Sequence, residues 1–212
     1  MSKEDVSRVA KPQKLEEHLE QNLGRKTVPQ TACASLIRLP GNFQDMLLLA
    51  LDPALRNTGY AILEKEGTRI RAVRYGVIRN NAQLSMPGCL VEIHRRIDEV
   101  IRNHRPEACA VESLIYVQNT RTAITLGAAR GSALLAAAQH GLAIFEYAPR
   151  RVKQSVSGRG AAQKAQIGFM VRTLLELTET PEADAADALA IGLTHFQMHS
   201  SPLSALRAIR PL

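Results

Sequence analysis

The sequence has no tryptophan, and aromatic residues make up only 4% of its 212 positions. A platform that stacks successive nucleic-acid bases needs several exposed aromatic rings, so this composition argues against one. The three cysteines, Cys33, Cys89 and Cys109, are odd in number, lie far apart and include no Cys-x-x-Cys pair. This pattern argues against a disulfide scaffold and against a zinc site, and it is typical of a reducing compartment.

Long apolar runs are missing as well. No run approaches the roughly 20 residues that a membrane-spanning helix needs. The N-terminus carries acids at Glu4, Asp5, Glu16, Glu17 and Glu20, unlike a signal or transit peptide. We therefore expect a cytoplasmic protein with no membrane partner.

Positive charge, by contrast, is in surplus. The net charge is +7 and the isoelectric point is near 9.7. Hydrophobic residues make up 45% of the chain, which is enough to bury a core in one domain. A basic surplus favours a polyanionic partner, chiefly nucleic acid, because each neutralised phosphate releases counterions.

The densest pattern lies between Met46 and Asp52, where six apolar residues lead into one carboxylate and the chain then breaks at Pro53. An uninterrupted apolar run that ends in a turn signal predicts a strand buried on both faces of a sheet. An acid at the end of such a strand lies at the edge where open α/β folds bind ligands. Taken alone, Asp52 is better explained as an ordinary turn residue, since Asp before Pro favours turns.

The remaining pattern predicts alternating strands and helices. Residues 1–45 are predicted to form an N-terminal extension, weakly ordered or with a short helix marked by Leu15, Leu19 and Leu23. Residues 46–198 are predicted to form the main folded domain, and residues 199–212 a basic tail. The predicted elements are strands over Met46–Asp52, Thr58–Glu64, Ile70–Ile78, Ala108–Glu112 and Ala143–Tyr147, helices over Met86–His104, Thr120–Gln139, Ala162–Leu177 and Glu182–Gln197, and a basic loop over Arg150–Gly160.

This order, β-β-β-α-β-α-β-α-α, predicts an antiparallel meander of three strands followed by right-handed βαβ crossovers. The expected fold class is α/β, a ribonuclease-H-like mixed five-stranded sheet flanked by helices. In that fold the first and fourth strands lie side by side and parallel.

Four carboxylates then fall at one predicted edge of the sheet. Asp52 and Glu112 each end a strand, and Asp184 and Asp187 are one turn apart at the start of the last helix. Each has an ordinary alternative: Glu112 as a loop acid or ion-pair partner, and the helical pair as complements of the helix dipole. Together, however, four acids would repel one another unless divalent cations neutralised them.

Oxygen ligands of this kind suit Mg²⁺, with Mn²⁺ able to substitute, rather than zinc. Two ions about 4 Å apart suit in-line displacement at a phosphodiester. The expected site is therefore a two-metal centre held by all four carboxylates.

Basic side chains follow the fifth strand. The predicted loop contains Arg150, Arg151, Lys153 and Arg159, and Lys164 is expected one turn into the following helix. Such groups beside a metal site suit phosphate binding, and a lysine near the metals would stabilise transition-state charge. The plain alternative is a solvated run of charge. We take His140 and His195 as ordinary surface or helix-end residues.

These residues resemble the RuvC-type Holliday-junction resolvases over roughly Met46 to Gln197. The matching motifs are Asp52-Pro53 with Thr58-Gly59-Tyr60, Val111-Glu112 with Asn119, Leu126-Gly127-x-x-Arg130-Gly131, Phe145-Glu146-Tyr147, Val152-Lys153-Gln154, Gly158-x-Gly160 with Lys164, and Ala183–Ile191 with Thr194-His195. So many spaced matches are far more specific than one motif.

The resemblance implies a homodimeric, metal-dependent endonuclease that makes paired nicks in four-way DNA junctions, with a branch-migration motor as a further partner. Carried over, the four acids are the catalytic metal ligands. Lys153 and Lys164 match basic residues that contact the DNA and support the cut, and Arg150, Arg151, Arg159 and Asn119 are further expected DNA contacts.

Two positions depart from the family pattern. Ala54 stands where glycine usually follows Asp-Pro, which matters only if that position needs a positive φ. Ile115 and Tyr116 stand near the position of a phenylalanine proposed to wedge into the junction, and either is a candidate for that role.

The leading hypothesis is thus a structure-selective Mg²⁺-dependent endonuclease that resolves Holliday junctions as a dimer. The alternative is a junction-binding platform of the same fold that does not cut. A third hypothesis, a nuclease acting on RNA or RNA–DNA hybrids, matches the motifs less well.

Overall fold

The computed structural model of this chain describes residues 45–113, 119–199 and 211–212. The helices and strands of this part, numbered here in chain order, are β1 (Asp45–Asp52), β2 (Asn57–Glu66), β3 (Arg69–Arg79), α1 (Met86–His104), β4 (Ala108–Glu112), α2 (Thr120–Gln139), β5 (Ala143–Tyr147), α3 (Pro149–Ser157), α4 (Lys164–Leu174) and α5 (Ala183–His199).

The five strands form one mixed sheet in the order β3-β2-β1-β4-β5. β1 pairs antiparallel with β2, and β2 with β3, so the meander is confirmed. β4 pairs parallel with β1 and with β5. The predicted fold class is therefore confirmed, and the carboxyl ends of β1 and β4 lie next to each other.

Two apolar layers cover the sheet because strand side chains alternate between its faces. Leu48 and Ala50 of β1 pack with the apolar residues of α3, α4 and α5. Leu49 and Leu51 pack with α1 and α2 on the other face. The all-apolar sequence of β1 thus follows from a strand that is covered on both sides.

The stretch predicted as a basic loop is instead the helix α3. Proline at its first position and Gly158 at its C-terminal cap, with a φ of 72°, are favourable helix-end residues. Val152 and Val156 are buried four residues apart, which is the spacing of one helical face. The charged residues around these valines hid that face in the sequence.

Other boundaries differ by a few residues. β2 and β3 are longer than predicted, and Asp45 belongs to β1 rather than to the extension. α4 is shorter than predicted, and α5 continues to His199. Except for Asp45, His199, Pro211 and Leu212, the predicted extension and tail lie outside the described residues. Leu212 donates its backbone N–H to the carbonyl of Ile144 on β5, at 2.9 Å.

The prediction for His195 was wrong. Its side chain is completely buried, and its Nδ1 lies 2.8 Å from the hydroxyl of Tyr147. His140 does stand at a helix end, as the C-cap of α2, with Nε2 2.7 Å from Asp98. The small residues of α2 serve the chain's own packing: Ala129 is buried, and Ser132 donates to the carbonyl of Leu90 on α1.

No helix within the described ranges is both long enough and apolar enough to span a membrane.

Candidate active site

Asp52 and Glu112 lie at neighbouring strand ends. Each is the last residue of its strand, and the parallel register pairs Leu51 with Val111, the residues just before them. Both side chains point to the face covered by α5, because they continue the alternation of Leu48 and Ala50 and of Ala108 and Ala110. The two strands therefore present two carboxylates side by side at one sheet edge.

The start of α5 is pressed onto that same edge. Gly59 of β2 is the register partner of Asp52, and a Cβ atom at Gly59 would lie 1.9 Å from the backbone oxygen of Asp184. Only a residue without a side chain permits this approach. The spatial arrangement expected from the sequence is thus present: the helix-borne acids lie on the same side of the sheet as Asp52 and Glu112.

Lys164 contacts the fourth acid directly. It is the first residue of α4, not one turn inside the helix as the sequence suggested, and its Nζ lies 3.3 Å from Oδ2 of Asp187. The carboxylate of Asp187 raises the pKa of Lys164 above its ordinary value, aided by this hydrogen bond. The lysine therefore stays protonated beside the acids at neutral pH.

The pKa values of Asp52 and Glu112 are raised by their surroundings. Burial, the largest cause, together with the nearby charges of Asp187 and Asp184 raises the pKa of Asp52 to about 6, although the charge of Lys164 opposes the shift. Burial likewise raises the pKa of Glu112 to about 7, reinforced by Asp52 and Asp187 and opposed by Lys153 and Lys164. Such mutual perturbation is typical of functional sites.

The carboxylates form a loose cluster rather than a closed cage. Within residues 45–113 and 119–199, no group of three or more Asp, Glu, His or Cys side chains has the arrangement of a ready metal centre. The donor set near Asp52 is nevertheless all oxygen, which is the chemistry that Mg²⁺ and Mn²⁺ prefer.

The predicted basic residues lie on rigid structure. Arg150, Arg151 and Lys153 belong to α3, and Arg159 follows its C-cap. The close approach of Arg150 to Gly160, where an added Cβ would lie 2.9 Å from the arginine Cγ, closes the turn after the helix. Lys153 is the member whose charge reaches Glu112.

The remaining predicted residues have separate positions. Asn119 caps α2, its side-chain oxygen accepting from the backbone N–H groups of Arg121 at 2.9 Å and Thr122 at 3.2 Å. Ile115 and Tyr116 lie outside the described residues. Ala54 causes no strain, because among the described non-glycine residues only Arg105 and Glu176 have a positive φ.

One residue at the site was not recognised from the sequence. Arg130 of α2 donates through Nη1 to the backbone carbonyl of Glu112, and its Nη2 forms an ion pair with Glu146 of β5. The signal in the sequence was an arginine within an alanine- and glycine-rich helix whose other inward-facing residues are small.

Comparison with known proteins gives consistent results. Residues 48–195 match the family model described as crossover junction endodeoxyribonuclease RuvC. The protein of that name from Akkermansia muciniphila is 54% identical over 160 residues, covering 76% of this chain and 95% of the relative. The one from Pelotomaculum thermopropionicum is 46% identical over 151 residues, covering 71% of this chain and 92% of the relative.

A solved structure matches over a similar range. It is T. thermophilus RuvC in complex with a Holliday junction substrate, which superposes with a TM-score of 0.70 at 33% identity. The match covers 79% of this chain and 99% of that chain.

Proposed function

We propose that this chain, which belongs to the RuvC family of crossover junction endodeoxyribonucleases, resolves four-way DNA junctions by paired symmetric nicks. The observation that carries the proposal is the meeting of Asp52, Glu112, Asp184 and Asp187 at one sheet edge, with Lys164 beside them. A binder that does not cut would gain nothing from a repulsive acidic cluster facing phosphates, so the geometry favours an enzyme over a platform.

The acidic cluster fits Mg²⁺, or Mn²⁺ in its place, with two ions expected per site. The fit rests on the donor set, which is all carboxylate oxygen, and on the partly buried positions of Asp52 and Glu112, where burial and the neighbouring acids raise both pKa values. All four acids would hold the ions. When bound, divalent cations neutralise the carboxylates and supply Lewis-acid assistance to hydrolysis of a phosphodiester.

The chain's own residues divide the remaining work. Lys164, protonated and held by Asp187, would stabilise the negative charge that grows on the phosphate during cleavage. Lys153, Arg150, Arg151 and Arg159 would hold the DNA backbone beside the acids, since phosphate contacts fix register and orientation. Asn119 and the nearby Ile115 and Tyr116 would contact the junction itself.

Two symmetric cuts require two sites, so we propose a homodimer with two-fold symmetry. One surface of the chain suits such an interface: Ile124 and Leu135 on α2 are 64% and 53% exposed, and Val91 on α1 is 68% exposed. These side chains would be buried by a second copy. A branch-migration motor is a further proposed partner.

Residues 46–198 would form the nuclease domain, with 1–45 as an extension and 199–212 as a basic tail. A reducing cytoplasm is the proposed location, and it suits the free, buried thiols of Cys89 and Cys109.

The test is incision of a synthetic four-way junction with Mg²⁺, compared with a linear duplex of the same sequence. The wild type should make paired nicks in the junction, while Asp52→Asn and Asp184→Asn should bind it and not cut. Asp98→Asn, the same change on α1 far from the acidic cluster, serves as the matched control. If the wild type bound a panel of junction sequences and nicked none of them, the proposed nuclease activity would be rejected in favour of the non-cutting platform.

Competition with an RNA–DNA hybrid of equal length distinguishes a junction-resolving enzyme from a nuclease that acts on RNA or RNA–DNA hybrids. A junction-resolving enzyme should keep cutting the junction when the hybrid is in excess, whereas a hybrid-directed nuclease should cut the competitor.

A further inference from the structure

Arg130 is a buried cation whose contacts lie at the end of β4. Only 7% of the residue is exposed, although it belongs to a helix whose other buried members are alanines. A buried guanidinium is costly unless its donors are used. Its two contacts, with the carbonyl of Glu112 and the carboxylate of Glu146, therefore explain why it is kept there.

The carbonyl of Glu112 needs a donor that the sheet does not supply. Ser113 donates its N–H to Tyr147 of β5, so the preceding carbonyl points the other way, toward β1. In a parallel ladder it would accept from the residue after its neighbour Asp52. That residue is Pro53, which has no N–H.

Arg130 takes the place of this missing donor. Its guanidinium reaches from α2 to the last carbonyl of β4, and Glu146 on the adjacent strand β5 holds the other side of the guanidinium. Nη1 is held by a hydrogen bond and Nη2 by an ion pair without hydrogen-bond geometry, and these two contacts together restrict the orientation of the guanidinium. The end of β4 is thereby tied to α2 and β5 as well as to β1.

We infer that Arg130 is a positioning residue for the cutting reaction. It holds the backbone of Glu112 at the point where Pro53 leaves the β1–β4 pairing one hydrogen bond short, and it thereby fixes the position of the Glu112 carboxylate relative to Asp52. This inference rests on the proposed function of the acidic cluster. It assigns Arg130 no contact with DNA, metal or the reacting atoms.

The contact that positions Glu112 is made to its main chain, because Nη1 of Arg130 donates to the backbone carbonyl. The charges of the two residues also attract each other: burial lowers the pKa of Arg130, and the charge of Glu112 is one of the groups that oppose this shift. Its guanidinium meets the carbonyl of Glu112, while the carboxylate points to the opposite face, toward α5.

The test compares Arg130→Met, Arg130→Lys and Glu146→Gln, with Arg102→Met as a matched control at an exposed position of α1. Three quantities are measured for each folded variant: junction affinity without divalent metal, the single-turnover rate of cutting, and the Mn²⁺ concentration that half-saturates binding to the DNA-free protein. Thermal unfolding identifies any variant that does not fold.

Arg130→Met should cut about 10-fold or more slowly, since misplacing a reacting group by about 1 Å can cost about 100-fold. Its junction affinity should stay within about 2-fold of the wild type, and its half-saturating Mn²⁺ concentration should rise severalfold. Arg130→Lys should recover part of both losses because it keeps one donor. Glu146→Gln should show a smaller loss, and the double variant should be no slower than Arg130→Met alone.

If Arg130→Met does not fold, Arg130→Lys and Glu146→Gln provide the test: each should cut more slowly than the wild type while its junction affinity stays unchanged. Cutting within about 2-fold of the wild type in the folded variants would overturn the inference, as would parallel losses of cutting and junction affinity. A wild-type protein that never cuts a junction would overturn the proposed function instead. The Mn²⁺ titration would still report whether Arg130 places Glu112.

Discussion

The backbones of Gly59 and Asp184 are in direct contact, with room for a hydrogen but not for a methyl group on Gly59. Because Gly59 is paired in register with Asp52, this contact sets the distance between the strand-borne acids and the helix-borne acids. An ion pair between Arg79, at the end of β3, and Glu182, just before α5, joins the same two regions.

Gly59→Ala should therefore push the start of α5 away from the sheet. Overpacking of this kind typically costs about 1–3 kcal/mol of unfolding free energy, and the displaced acids should slow cutting about 10- to 100-fold. Denaturant unfolding and junction cutting measure the two effects. Gly127→Ala on α2, where an added Cβ meets no atom within 4 Å, should instead leave the protein equally or more stable. A Gly59→Ala protein with normal cutting would show that α5 can shift without consequence.

In the metal-free protein, Asp52 and Glu112 should contribute a loss of stability as pH rises through the acid range, while the buried His195, whose pKa is lowered, contributes a gain over part of that range. The pKa of Asp52 is raised from its ordinary 3.8 to about 6, and that of Glu112 from 4.5 to about 7. Between these limits the folded state holds protons that the unfolded state has released, so unfolding becomes easier with increasing pH. The loss should be complete above about pH 7.

Thermal unfolding in EDTA between pH 5 and pH 8 measures this dependence. Because the histidine contribution is the same in both proteins, the difference between Asp52→Asn and the wild type isolates the carboxylate. Asp52→Asn should gain stability over the wild type as pH rises and should have the higher melting temperature at pH 8, and Mg²⁺ should likewise raise the wild-type melting temperature at pH 8. A difference that does not grow from pH 5 to pH 8 in EDTA, with no Mg²⁺ effect, would contradict the proposed metal site.

Lys164→Met should slow cutting without affecting the fold. The lysine is 72% exposed at its side chain, so its contribution to stability is small. Loss of one group that stabilises transition-state charge typically costs about 100- to 1,000-fold in rate. Single-turnover cutting and junction affinity separate this effect from weaker binding. Arg172→Met, in the last turn of the same helix, is the control and should cut normally.

Tyr147→Phe should lower stability and leave cutting intact. The hydroxyl of Tyr147 and Nδ1 of His195 form a buried hydrogen bond of 2.8 Å, and burial lowers the pKa of His195 well below its usual value, so the imidazole is neutral at pH 7. Removing one partner of a buried bond typically costs about 1–3 kcal/mol. Tyr75→Phe, at a partly exposed position of β3, should cost less. Equal unfolding free energies for the two variants would show that the buried bond contributes nothing.

Leu135→Arg should convert the proposed dimer into monomers. A charge placed in the centre of an apolar interface would remain buried and unpaired. Sedimentation of the wild type and the variant gives the masses directly, and Val73→Arg, at an exposed apolar position of β3, is the matched control. If the wild type and Leu135→Arg had equal masses, α2 would not be part of the dimer interface.

The strand ends of the site could be predicted because their causes are local. The apolar run before Asp52 and the shorter run before Glu112 each specify a buried strand, and the order of elements places the two strands side by side. The contact of Gly59 with Asp184 could not be predicted, since it joins residues far apart in sequence through the packing of α5. The same limit applies to Arg130, whose partner is a backbone carbonyl left without a donor by Pro53.

Two errors have a different physical origin. The helix α3 was missed because its charged residues outnumber the buried pair, Val152 and Val156, that fixes it to the core. His195 was predicted to be an ordinary surface or helix-end residue, yet a hydrogen bond to Tyr147 and the rings of Phe145 and Phe196 accommodate it in the interior. In both cases tertiary packing determined the outcome where composition suggested otherwise.

α5 is buried without interruption from Ala188 to Phe196, and the same rod carries Asp184 and Asp187 at its open end. Mutations that change the packing of the buried part of α5 will therefore move Asp184 and Asp187 together. Substitutions in the core thus alter the position of these two acids relative to Asp52 and Glu112. Laboratory evolution toward new junction preferences should accordingly find its tolerated changes on α3 and α4, and few within this rod.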